Sequence, residues 1–364
     1  MGAAPALECA LRIPSCLKNS PFTESTPPGS AVTWRGTLNR YGYRQRGRSQ
    51  VPAEPDECLL PPVSCLKPGP CLLAFFKVEH CLYLLYANDL SLCVGQDVSI
   101  TQYADDTQVL VSGKKCDLPS LITRMEKALE ALFRWFCFNG MNVNAQKTQM
   151  IVLGTPSMLR SLPALSLKFN GATVTESRVV KNSGVIFDRS LTFESHIDTM
   201  TRQCTGLLIA LNHARHVMLH QALKVIVESL VLSIVRYCLS VYGSCGISRV
   251  HRIQKIVNFC ARVVTGRRRS DHVSDAIKLL GWLTAQQLIN YHTLCAVQRV
   301  IAYAEPASLF HTIGPRASEV HRHGTRRASD RMLPRIRAES GRRRLCYRGV
   351  ALVNARRPGT ADPG

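Results

Sequence analysis

Ser99-Ile100-Thr101-Gln102-Tyr103-Ala104-Asp105-Asp106-Thr107-Gln108-Val109-Leu110-Val111-Ser112 is the stretch on which the reading of this chain turns. Residues 99–103 and 107–112 each alternate and are rich in β-formers, which puts two adjacent carboxylates, Asp105 and Asp106, at the tip of a hairpin. Hard oxygen ligands at such a tip could hold Mg²⁺ ions that also grip substrate phosphates, as a two-metal polymerase site requires. Asp is also a common turn residue, so the pair by itself leaves both readings open.

The segments downstream narrow them. Asp117 and Pro119 open a helix whose apolar stripe comprises Leu121, Ile122, Met125, Ala128, Leu129, Leu132, Phe133 and Phe136, and Gly140 ends it. A polar turn, Met141 to Thr148, leads into a short buried strand, Gln149 to Leu153. Leu165 to Phe169 alternates up to Asn170-Gly171, a strong hairpin signal, and the chain returns through Ala172 to Thr175. The run Val179 to Phe187, with Gly184 inside it, is expected as one further strand, ending at Asp188 before another helix.

This order of parts resembles the palm of a reverse transcriptase of non-LTR (LINE-type) retrotransposons. Tyr103-Ala104-Asp105-Asp106 resembles the family's catalytic hairpin, and Asn144, Lys147 and Thr148 match its next motif, N-x-x-K-T. Ser183 to Asp188, Leu191-Thr192-Phe193 and His196-Ile197 are similar to the segment that forms the family's primer-grip hairpin and opens its thumb. Leu84 to Leu90 matches a helix ahead of the hairpin, and Asn258 to Gly266, Gly281-Trp282-Leu283 and Gly341 to Asn354 resemble the helical tail. The resemblance implies an α+β fold: a partial right-hand polymerase palm followed by a helical thumb and tail. It implies Asp105, Asp106 and Lys147 as catalytic residues, the two Asp as ligands of Mg²⁺ in an intact relative, and Tyr103, Ala104 and Gly184 as nucleotide- or primer-binding residues. The reaction in such a relative is RNA-templated addition of deoxynucleotides to a DNA 3′-hydroxyl.

Departures from the family pattern set a counter-expectation. The Pro-Gln-Gly-Ser loop is replaced by Leu66-Lys67-Pro68-Gly69-Pro70-Cys71, and residues 1–55 contain no Asp to serve as the carboxylate of the first palm strand. Fingers and first palm strand are therefore expected to be missing and the chain to be inactive. The alternative is a catalytically dead, basic nucleic-acid-binding remnant, or an open reading frame without selected function. Of 19 Pro, 11 fall within residues 1–70, which points to irregular coil. The expected organisation is a low-complexity leader over 1–75, disordered or unrelated, a partial palm over 76–190, a helical thumb or connection over 191–308 and an Arg-rich tail over 309–364.

Charge narrows the partners. A formal +21 favours a polyanion, RNA or DNA. Residues 309–364 hold 13 Arg, no Lys and four acids, a surplus suited to phosphate oxygens and, by expectation, too poor in apolar residues to build a core. Candidate nucleic-acid contacts are Arg267, Arg268, Arg269, Arg326, Arg327, Arg342, Arg343 and Arg344. Lys224, Glu228 and Arg236 interrupt the apolar run from Leu223 to Tyr242, arguing against a membrane span, and no signal peptide opens the chain. An intracellular protein of nucleus or cytoplasm is expected. The 15 Cys include no Cys-x-x-Cys, so structural zinc is not expected and the thiols are read as reduced.

Overall fold

The computed structural model describes residues 7–16, 83, 85–95, 97–103, 106–320, 329–336 and 339–355. Strands β1 (Leu7–Cys16), β2 (Ser99–Tyr103), β3 (Asp106–Gly113), β4 (Asn142–Val143) and β5 (Gln149–Leu153) form one antiparallel sheet in the order β2-β3-β1-β4, with β5 also paired to β1. Helix α1 (Leu118–Phe138) covers one face, because its stripe of Leu121, Met125, Ala128, Leu129, Leu132 and Phe136 is buried against Leu11, Val109, Val111, Met150 and Val152. The two-residue periodicity of the strands delivers those apolar residues to one side and Arg12, Gln108 and Gln149 to the other.

The central place of β1 overturns one expectation. Residues 7–16 lie inside the stretch read as a coil leader, yet they form the strand on which both halves of the sheet pair: Arg12 lies opposite Gln108 on one side and Gln149 on the other. Without β1 the sheet would leave the ladder edges of β3 and β5 unpaired, and Leu11, only 1% exposed, would lose its site. A strand thus stands where the first palm strand was expected to be missing. The remainder of that leader falls outside the described residues.

After α2 (Pro156–Arg160), β6 (Ser166–Phe169) and β7 (Ala172–Thr175) make the expected hairpin, with Asn170 (φ 47°) and Gly171 (φ 72°) both left-handed at its turn. The stretch read as one strand from Val179 to Phe187 is instead a second hairpin, β8 (Val179–Asn182) and β9 (Val185–Asp188), because Ser183 (φ 44°) and Gly184 (φ 82°) reverse the chain between them.

The remainder is helical. Helices α3 (Glu194–Ala214), α4 (His220–Val227), α5 (Ser233–Arg236), α6 (Leu239–Tyr242), α7 (Ile247–Thr265), α8 (Ser274–Leu279) and α9 (Ala285–Tyr303) enclose the largest core, centred on Ile197, Leu208, Val227, Tyr242, Ile253 and Val257. The apolar run 223–242 widens to a π-helical stretch at Glu228–Leu232 between α4 and α5 and is broken at left-handed Cys238 (φ 51°), after which α6 begins. No helix among the described residues is long and apolar enough to cross a membrane.

Short helices α10 (Ala307–Phe310), α11 (Ala317–Val320) and α12 (Glu339–Arg342) lead to α13 (Leu345–Ala355). Here the expectation of a coreless tail fails. Val350 is fully buried with Val297, Val300 and Ile313, and Gly349 lies so close to α9 that a Cβ would stand 2.1 Å from Val297 Cγ2. A few apolar residues on one helical face suffice to dock an otherwise Arg-rich segment.

Candidate functional site

Strands β2 and β3 pair antiparallel, with Tyr103 opposite Asp106. Ala104 and Asp105, between the two strands, lie outside the described residues. Tyr103 is 70% exposed. Asp106 opens β3 on the sheet face away from α1, opposite Pro14.

Asp106 does not face open solvent. Its Oδ2 accepts a charge-assisted hydrogen bond at 2.6 Å from Nη2 of Arg12, and the two side chains are 16% and 28% exposed. Arg12 Nη1 donates in turn to the Lys181 carbonyl at 2.6 Å. Next to this bridge, Gln108 Nε2 donates to Asn182 Oδ1 at 3.2 Å. Hairpin β8–β9 is thereby fastened over the polar face of the sheet, and a cavity of about 260 Å³ lies between them, lined among others by Ala10, Thr101, Leu110, Ile151, Val180 and Phe187.

The far side of that hairpin is held by the helical part. Tyr237 Oη donates to the Ser183 carbonyl at 2.8 Å, and its ring approaches Gly184 so closely that a Cβ there would meet Cε1 at 3.1 Å. Gly184 therefore serves a left-handed turn pressed against Tyr237. Cys238 chiefly, and Tyr103 in smaller part, push the Tyr237 phenol above its ordinary range. Behind the hairpin, His196 is buried, stacks edge-on against Tyr242 at 4.7 Å and accepts the Ile186 N–H at Nδ1 at 3.5 Å; burial lowers its pKa.

Asp188 ends β9 as a scaffold. Its Oδ1 accepts from the backbone N–H of Ser190 and Thr192 at 3.1 and 3.0 Å, and its Oδ2 accepts from the Thr192 hydroxyl and the Phe193 N–H at 3.2 and 2.5 Å. Those bonds hold Leu191 (φ 52°) and Phe193 (φ 59°) in left-handed conformations that these side chains disfavour.

The N-x-x-K-T segment divides in the same manner. Asn144 Oδ1 accepts the Lys147 N–H at 3.1 Å and Thr148 Oγ1 donates to the Asn144 carbonyl at 3.0 Å, closing a 3₁₀ turn over Ala145–Lys147. Lys147 itself is exposed. Because β5 begins at Gln149 opposite Arg12, while Asp106 lies opposite Pro14, this turn stands at the Asp106 end of the sheet, two strand spacings or about 10 Å across.

The expected basic contacts are not alike. Arg267 is committed internally: its two Nη atoms bind both oxygens of Asp275 at 2.7 Å, and Nη1 also donates to the His272 carbonyl. That fork lowers the Asp275 carboxyl to about 2. Arg268 and Arg269 are exposed, as are Arg342 and Arg344, whereas Arg343 is half-buried with Nη2 3.5 Å from the Ser190 carbonyl. Arg326 and Arg327 lie outside the described residues.

The described donors do not fit a magnesium site. Asp106 already carries a guanidinium, and no group of three His, Cys, Asp or Glu side chains able to hold a metal is present among the described residues. Within β1 the only acid is Glu8; opposite Ser112, it sits six residues from Asp106 along β3, about 20 Å away. Sequence reading missed Arg12, Gln108, Asn182 and Tyr237 as site residues. A signal existed only for Arg12: Leu7, Cys9, Leu11 and Ile13 alternate with Glu8, Ala10 and Arg12.

Known proteins resemble this chain in part. Over 194 residues, 51% of the chain, it is 26% identical to the RNA-directed DNA polymerase from mobile element jockey of Drosophila melanogaster, covering 20% of that protein. The corresponding jockey protein of Drosophila funebris is 24% identical over 201 residues, 54% of the chain and 21% of the relative. A probable RNA-directed DNA polymerase from transposon BS of Drosophila melanogaster is 24% identical over 230 residues, 62% of the chain and 24% of the relative. No family model matches the chain, and no solved structure matches it. The chain spans about a fifth to a quarter of the length of the curated relatives it matches. Over half or more of its own length it is a homologue of the RNA-directed DNA polymerases of non-LTR mobile elements.

Proposed function

We propose that the chain is the palm and thumb portion of a reverse transcriptase of the non-LTR type, and that it holds an RNA- or DNA-containing duplex without extending it. The observation that carries this reading is the clustering at one end of the β1–β5 sheet of the Asp106 hairpin, the Lys147 turn and the clamped β8–β9 hairpin. Tyr103, Gly184 and the backbone of β8–β9 would meet the primer strand, and Lys147 would meet phosphate from the opposite edge of the sheet.

Phosphate contact along the duplex would come from the exposed guanidinium groups Arg268, Arg269, Arg342 and Arg344, since a formal +21 supplies the counterion-release drive. The absence of a carboxylate in β1 near Asp106 supports binding without templated synthesis. RNA–DNA hybrids with a recessed 3′ end, titrated by fluorescence anisotropy and then offered deoxynucleotides with Mg²⁺ or Mn²⁺, test both parts. Salt-sensitive binding with no primer extension is expected. Absence of binding would overturn the first part; template-dependent product lost in Asp106→Asn would overturn the second.

A further inference from the structure

We propose that Arg12 is the resident cation of the palm carboxylate: its guanidinium takes the place at Asp106 that a divalent ion would need, and the same group latches hairpin β8–β9 onto the sheet. The proposal goes beyond nucleic-acid binding and stands or falls separately from it.

Three observations support it. First, Arg12 is not a flexible surface residue that happens to touch an acid. It projects from the central strand, paired on both sides, so its Cα is fixed by two ladders, and its side chain is only 28% exposed. Second, the guanidinium is divided between two partners of different elements, Asp106 Oδ2 and the Lys181 carbonyl, both at 2.6 Å. A planar fork can join a carboxylate to a carbonyl in this way; a divalent ion at Asp106 would have to displace Nη2 and would then sit beside a fixed positive charge. Third, among the described residues of β1, β3 and β5 on this face near Asp106, namely Arg12, Pro14, Gln108 and Gln149, Arg12 is the one charged side chain set against the carboxylate. One carboxylate facing one guanidinium is a neutralised pair; without the guanidinium the free carboxylate can bind a divalent ion that keeps waters as its other ligands.

The latch arises from the same geometry. With Gln108 bound to Asn182, Arg12 provides the second of two tethers from the sheet to β8, and Tyr237 holds the turn from the opposite side. Loss of Arg12 should therefore free Asp106 for a cation and loosen the hairpin together, two effects that an incidental surface ion pair would not couple.

Mn²⁺ serves as the probe, with free ion followed by electron paramagnetic resonance on the full chain and hydrogen exchange followed over residues 179–188. For the wild-type chain and Asp106→Asn the Mn²⁺ titrations should superimpose. Arg12→Gln should gain a site at least tenfold tighter that disappears in Arg12→Gln/Asp106→Asn, and its β8–β9 amides should exchange at least tenfold faster. Asp106-dependent Mn²⁺ binding in the wild-type chain would overturn the proposal, as would a folded Arg12→Gln that gains no site. Should Arg12→Gln fail to fold, Arg12→Lys keeps the charge but cannot span both partners: Mn²⁺ binding should stay at the wild-type level while the hairpin amides exchange faster, and unchanged exchange would refute the latch.

Discussion

Replacing Asp188 by Ala should destabilise the turn between β9 and α3 by about 3–4 kcal/mol. Each of its four hydrogen bonds has a charged acceptor, a class worth roughly 1.5–3 kcal/mol apiece in isolation. They share one carboxylate and lie in a half-buried turn that water can re-enter, so the sum is far from additive. Two further consequences push the cost upward. The left-handed residues Leu191 and Phe193 lose the anchor that holds them in a conformation costing roughly 1–3 kcal/mol each. Phe193, 3% exposed and packed edge-on to Phe187 at 5.6 Å, then loses its fixed entry into the helical core.

Asp188→Asn separates charge from shape. The amide keeps one acceptor oxygen but presents a donor either to the Phe193 N–H or to those of Ser190 and Thr192, so a cost of about 2 kcal/mol remains. Urea unfolding followed by the fluorescence of Trp282, which is buried in the same core and bonded to Glu228 at 2.6 Å, reads the loss. With a slope of about 2 kcal/mol/M, a 3 kcal/mol loss moves the midpoint down by about 1.5 M. An Asp188→Ala midpoint within 0.5 M of wild type, roughly 1 kcal/mol on the same slope, would refute the scaffold assignment.

Three further outcomes are expected. Because burial lowers the pKa of His196 below that of the unfolded chain, the unfolded state binds the extra proton first as pH falls. The stability its neutral form contributes is fully present above about pH 6.5 and is lost below it, at no more than about 1.4 kcal/mol per pH unit. His196→Gln should flatten the acid limb of a stability–pH profile, leaving the similar contribution of His292, and an unchanged limb would count against it. Gly349→Ala should cost about 1–3 kcal/mol by forcing α13 away from Val297, seen as faster hydrogen exchange in residues 345–355, and a neutral effect would show that this helix is not docked there. Removing Arg268 and Arg269 together should reduce the salt dependence of nucleic-acid binding by roughly 0.7–0.9 for each phosphate no longer neutralised, whereas Arg267→Ala should loosen the loop before α8 with little change in slope; the opposite pattern would reassign the phosphate-binding role to Arg267.

How far the fold could be read in advance depended on which residues carry two signals at once. The helix over 118–138 and the Asn170-Gly171 hairpin were legible because periodicity and turn chemistry agree there. The β8–β9 hairpin was missed because Ser183, a non-glycine at φ 44°, makes half of its turn. Strand β1 was missed for another reason. Its own alternation is clean, but its two neighbours, β3 and β5, come about 100 and 140 residues later, and the Pro-rich composition just after it dominates any window wide enough to judge order. For the tail, net charge was the wrong measure, since docking of α13 needs only the face that carries Gly349 and Val350.

The same division explains what the motifs do and do not carry. In the 144–148 and 183–196 segments the residues with internal partners, Asn144, Thr148, Asp188 and His196, satisfy backbone donors or acceptors at sharp turns, so a sequence can keep them for folding alone. Lys147 and Tyr103 are exposed, and the fold makes no comparable demand on either. A motif match is therefore stronger evidence for the fold than for its chemistry, because most of the matching residues hold turns. Asp106 is the residue where the two kinds of demand meet. In this chain its carboxylate is satisfied by Arg12 from the neighbouring strand, so the feature that most suggests a metal site on sequence is, in the fold, one end of an ion pair that fastens two sheets together.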